Sequence, residues 1–151
     1  DFPTTGSSAK FINFIANELQ PYVEKSYKVN NSKTIIGQSL GGLLATEILL
    51  KNGKLFNNYI IVSPSLWWDD QSLLKNVNTL INNQKLSHTQ VFVAVGEEGK
   101  VMKDDAKKLV ELASKAKDLT VNFEFFEKED HATILHNSVY QTLLKMYPKK
   151  K

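Results

Sequence analysis

Four short runs rich in β-branched and aromatic residues alternate along this 151-residue chain with longer runs whose apolar residues recur at helical spacing, and that alternation fixes the architecture. Strands are expected near 33–37, 58–63, 90–95 and 120–126, with helices near 40–51, 70–84, 102–117 and 132–147. A leading helix is expected from about Ser8 to Ser26, with Phe11, Ile12, Ile15, Leu19, Tyr22 and Val23 at helical spacing and Ser7 or Ser8 as its cap. Between the third and fourth strands, Met102, Ala106, Leu109, Val110 and Ala113 form one stripe of a helix whose Lys103, Lys107, Lys108 and Lys115 face water. Strands linked through helices run parallel with right-handed crossovers, so the chain reads as a single α/β domain, a mostly parallel sheet flanked by helices.

Across Gly37-Gln38-Ser39-Leu40-Gly41 the β-branched Thr34-Ile35-Ile36 gives way to the helix-forming stretch from Leu43 to Leu50. A serine framed by glycines where a strand turns into a helix is the sequence form of a nucleophile elbow. Gly37 and Gly41 leave room for a strained turn that pushes the Ser39 hydroxyl outward. The plainer alternative is a glycine-rich turn whose serine caps a helix. Downstream residues favour the elbow. The strand Gln90-Val91-Phe92-Val93-Ala94-Val95 runs into Gly96-Glu97-Glu98-Gly99, and Thr120 to Phe126 runs into Glu127-Lys128-Glu129-Asp130-His131. An acid and a histidine thus each follow a strand's carboxyl end, in the chain order serine, acid, histidine.

A serine hydroxyl is a poor nucleophile until a base takes its proton during attack. His131 is the candidate base, and then the acid that protonates the leaving alcohol. Glu98 or Glu97 would hold the imidazole in the right tautomer, with Glu98 the first choice, and both also read as solvated loop charges. Leu40 N–H, at the start of the elbow helix, is the candidate oxyanion donor. His131 has a plainer alternative as a surface-loop histidine. His88 reads as solvated in a polar loop, and His136 falls on the inward stripe of the last helix, as packing or a supporting hydrogen bond. Asp130 and Glu129 stand too close to His131 in sequence to orient it. One of Trp67 and Trp68 is expected to wall a pocket at a strand end, with Trp67 assigned to the site and Trp68 to packing. Asp69 and Asp70 read as caps of the following helix rather than as metal ligands.

Gly37-Gln38-Ser39-Leu40-Gly41-Gly42, followed by Leu55 to Val62 and Ser63-Pro64-Ser65-Leu66-Trp67-Trp68-Asp69, resembles the Putative esterase family of α/β-hydrolases. The Ser-Pro-Ser-Leu-Trp-Trp-Asp stretch is most similar to its enterochelin-esterase-like, siderophore-esterase-like branch, as is Glu129-Asp130-His131-Ala132-Thr133. The likeness covers about residues 8 to 147. It implies a three-layer α/β-hydrolase fold and a serine esterase acting on carboxylic esters, siderophore-type esters among them. Gln38 stands where this branch more often has histidine, which changes the surroundings of the nucleophile and makes Gln38 a candidate substrate contact. Some members of the branch resemble a serine–histidine dyad, so the role of either glutamate stays open here. The family takes its early strands and second oxyanion N–H from an upstream segment. The 151 residues therefore read as a carboxyl-terminal portion, with a missing segment or a partner chain covering the outer edge of the first strand.

Composition narrows the field. At 42% hydrophobic, a chain of this length buries roughly two-thirds of its unfolded surface, enough for one core. Its net charge of +3 rests on lysine alone. Without arginine, the usual reader of phosphates and base edges, nucleic-acid recognition is disfavoured. The absence of cysteine excludes disulfides and fits cytoplasmic and exported (periplasmic) locations equally. No run reaches the roughly 20 apolar residues of a membrane span. Lys149-Lys150-Lys151 reads as a frayed tail. The expected partner is a small-molecule ester, with no metal or organic cofactor implied. A non-catalytic binding module and an acyltransferase of the same fold are the alternatives.

Overall fold

The computed structural model describes residues 8–84 and 86–148, in two compact units divided at Ser32. The expected cap at Ser7 and the Lys149-Lys150-Lys151 tail lie outside the described residues. The first unit carries α1 (Ser8–Phe14), a π-helical turn (Ile15–Leu19) and α2 (Gln20–Ser26) in unbroken succession. Pro21 explains the wide turn. It brings no N–H to the ladder and its ring presses on the preceding turn, and the helix expands, with Gln20 N–H donating to Ile15 O.

The second unit is a four-stranded parallel sheet in the order β1 (Thr34–Gln38), β2 (Asn58–Val62), β3 (Thr89–Gly96), β4 (Leu119–Phe126). In register, Gln38 stands beside Val62 and Val62 beside Ala94, so β3 and β4 run on past the ends of the first two strands. The helices between them are α3 (Leu40–Asn52), α4 (Trp68–Lys75), α5 (Val77–Asn82) and α6 (Lys100–Ala113), and α7 (Ile134–Met146) follows β4. This is an α/β fold of the expected class.

Every residue of β2 is buried, as a parallel strand covered on both faces requires. Alternation sorts its side chains. Tyr59 points to the α3 side and donates its hydroxyl to Gly53 O at 3.0 Å, with burial pushing its phenol well up. Ile60 and Val62 point the other way, packing with Ala94 and with Ile134, Val139 and Met146 of α7. The α7 stripe turned inward is Ile134, Ser138 and Thr142. His136 is exposed, contrary to the inward position expected of it, because the inward stripe runs through Ile134, Ser138 and Thr142, and a residue two along from Ile134 turns to the opposite side. Among the described residues, no helix is long and apolar enough to cross a membrane.

The helix expected over 70–84 is broken. Asp69, Asp70 and Gln71 all take left-handed backbone angles, with φ of 51°, 51° and 56°, before helical geometry resumes. Neither aspartate makes the expected side-chain cap, and Asp70 pairs with Lys75 at 2.7 Å. Gln71 instead donates to Asp105 on α6 at 2.8 Å, tying the left-handed turn to the neighbouring helix.

Candidate active site

All four strands deliver residues to one end of the sheet, their carboxyl ends. Ser39 follows β1 with φ 57° and ψ −119°, a region a non-glycine residue occupies only when its neighbours hold it there. Ser39 N–H donates to Val62 O at 3.1 Å, and Ser39 O accepts from Ser65 N–H at 3.1 Å and from Leu43 N–H at 2.9 Å. Space for this turn comes from Gly37 and Gly42 rather than from Gly37 and Gly41. A Cβ at Gly37 would stand 2.2 Å from Gly41 O, and one at Gly42 3.0 Å from Pro64 Cα, while one at Gly41 would meet nothing within 4 Å. Leu40 opens α3, where first-turn N–H groups have no carbonyl partner within the helix.

The loops after β3 and β4 are stitched together. Glu97 N–H donates to Glu129 O at 2.7 Å, and the crossing is so close that a Cβ at Gly96 would lie 2.4 Å from that carbonyl. Asp130 caps the turn into α7, its Oδ1 accepting from Ala132 N–H at 2.8 Å and Thr133 N–H at 3.1 Å, while its own N–H donates to Thr133 Oγ1 at 3.1 Å. Held in this turn, His131 donates from Nδ1 to Glu98 Oε2 at 2.5 Å. A carboxylate offers acceptors only, so Nδ1 carries the ring proton and the basic lone pair is on Nε2.

Two adjacent glutamates have opposite surroundings. The Glu98 side chain is only 2% exposed, and its second oxygen, Oε1, accepts a short hydrogen bond from the Ser63 hydroxyl and another from Gly96 N–H at 3.0 Å. Glu97 is 54% exposed and pairs with Lys103. Both carboxylates reach the cleft, but only Glu98 meets the imidazole.

A cleft of about 510 Å³ brings Ser39, Glu98 and His131 together, with Trp67 and Met102 as apolar lining and Asp130 beside them. Trp67 is 45% exposed there, whereas Trp68 packs its ring 5.8 Å from that of Trp67 and is not part of the lining. Gln38 faces the histidine loop, its amide donating to His131 O at 2.5 Å and so joining the elbow to the turn after β4. Two residues here escaped sequence reasoning. Ser65 places its hydroxyl 3.2 Å from that of Ser39, and Ser63 reaches Glu98. The signal for both was their position directly after a strand's carboxyl end.

The sequence profile of the Putative esterase family matches residues 2–140. The chain belongs to that family. Over 147 residues it is 31% identical to the ferri-bacillibactin esterase BesA of Bacillus subtilis (strain 168), covering 89% of this chain and 50% of that protein. A stretch of 87 residues is 33% identical to the siderophore triacetylfusarinine C esterase of Aspergillus fumigatus, covering 56% of this chain and 30% of that one. Among solved structures, the BES protein from Bacillus cereus superposes with a TM-score of 0.85 at 38% identity, covering 94% of this chain and 56% of its own. An IroE-like serine hydrolase from Shewanella oneidensis superposes at 0.86 with 25% identity, covering 95% and 48%. The chain therefore spans half of BesA and about half of these two structures, and its Putative esterase relatives are esterases and hydrolases.

Proposed function

We propose that this Putative esterase family member is a serine esterase that cleaves carboxylic esters through an acyl-enzyme. Ser39 is the nucleophile, His131 the general base, Glu98 the group that orients the imidazole, and Leu40 N–H one oxyanion donor. What supports this reading is the 2.5 Å His131–Glu98 hydrogen bond at the cleft that also holds Ser39. In the first half-reaction His131 Nε2 takes the Ser39 proton as the hydroxyl oxygen attacks the ester carbonyl. The tetrahedral oxyanion develops at the amino end of α3, then collapses, and the alcohol leaves with the proton held by His131. Water repeats the sequence, releasing the acid and restoring Ser39. Glu98 stabilises the imidazolium in both halves.

Siderophore-type esters are the proposed substrate class, on the strength of relatives whose names specify ferri-bacillibactin and triacetylfusarinine C. Trp67 and Met102 offer apolar surface for the acyl or aryl portion. We also infer that further strands or a partner segment cover the outer edge of β1. The test is hydrolysis of a p-nitrophenyl ester by the intact protein. His131→Ala should lower turnover by about three to four orders of magnitude with the fold retained. Unchanged turnover in that variant rejects the assignment.

A further inference from the structure

Ser63 sits at φ 43°, fully buried, one residue past the end of β2. A left-handed angle at a non-glycine residue is strained, and glycine would avoid that strain. The side chain retained at this strained position has its hydroxyl on Glu98 Oε1, while its N–H donates to Ala94 O at 2.7 Å and locks the turn against β3.

Resting on the Ser39–His131–Glu98 reading above, we propose that Ser63 is a positioning residue that fixes which Glu98 oxygen faces His131. The Ser63 hydroxyl and Gly96 N–H together occupy Oε1. Only Oε2 is then left for the imidazole, and the plane of the carboxylate is set by contacts on both sides. With its side chain only 2% exposed, Glu98 has little solvent to satisfy Oε1, so these two donors supply its hydrogen bonds. Without the Ser63 hydroxyl the carboxylate is freer to rotate, and the imidazole loses a fixed partner oxygen. The loss should fall on kcat and leave KM nearly unchanged.

The experiment compares wild type, Ser63→Ala, Ser63→Gly and Glu98→Gln in the intact protein, by kcat and KM measured separately and by Tm. Ser63→Ala deletes only the hydroxyl, and Ser63→Gly removes the whole side chain but accepts the left-handed backbone freely. Both Ser63 variants should fold and lose about tenfold in kcat near neutral pH, with KM within about twofold of wild type. A wild-type kcat in either folded variant, or a loss that falls on KM alone, overturns the proposal. Failure of both to fold overturns it too, since Ser63 would then be structural. Glu98→Gln separates the two readings. If that variant collapses while the Ser63 variants match wild type, only the role of Ser63 falls; if Glu98→Gln itself keeps wild-type turnover, the triad reading falls.

Discussion

Glu97 and Glu98 are neighbours with the same side chain, and the loop after β3 gives them different work. One is spent on Lys103 at the surface, and the other is buried between Ser63 and His131. Replacing Glu98 with Gln should therefore lower kcat by about 10³ to 10⁴, as the amide no longer dictates the imidazole tautomer. Glu97→Gln should stay within about twofold of wild type. Steady-state kinetics on the two variants checks this, and equal losses would contradict it. The places of Ser39 and His131 past the carboxyl ends of β1 and β4 were legible in the sequence, because local pattern reveals those strands. Which glutamate turns inward was not, since one residue along a loop reverses the direction of a side chain without changing any periodicity. Ser63 and Ser65 were hidden for a related reason. A serine beside proline reads as an ordinary turn until the neighbouring strand brings its partner across.

Elements followed hydropathy where burial created the pattern and departed from it where backbone strain or small polar residues did. The strands were legible because β-branched residues fill a sheet covered on both faces. The inward stripe of α7 was harder to read, because Ser138 and Thr142 occupy it and carry little hydropathy signal. Nothing in Asp69-Asp70-Gln71 announces a left-handed turn, which is held from outside by Asp105 on α6. That contact has a consequence for stability. Oδ1 of Asp105 accepts from Gln71, but Oδ2 is buried with no partner among the described residues, and burial, followed by the nearby charge of Asp104, pushes the carboxyl up. The folded state thus holds this proton more tightly than the unfolded chain does. The contribution to stability is complete below the unfolded value of about 3.9 and is lost as pH rises through the raised folded value. Asp105→Asn keeps an acceptor for Gln71 and removes the charge. Its Tm should exceed that of wild type at pH 7, with the gap closing toward pH 4. A lower Tm at pH 7 would contradict this account of the α4–α6 contact.

Across the whole molecule, the sheet order β1-β2-β3-β4 leaves β1 on an edge, with Ile36 46% exposed. An apolar edge strand is a template for pairing with another chain. The 151-residue chain should self-associate as its concentration rises, and Ile36→Lys should shift its sedimentation toward monomer. A wild-type chain that sediments as monomer at every concentration would show the edge to be already protected. That the sheet is parallel was legible from the alternation of strands and helices. What covers the edge was not, because that depends on residues beyond the pattern of these four strands.

The most direct measurement is mass spectrometry of the intact protein after brief exposure to a fluorophosphonate, which mimics the tetrahedral adduct of acyl transfer. The account predicts a single adduct on Ser39, absent in Ser39→Ala and formed orders of magnitude more slowly in His131→Ala. An adduct on another residue, or labelling of Ser39 at an undiminished rate without the histidine, would contradict it.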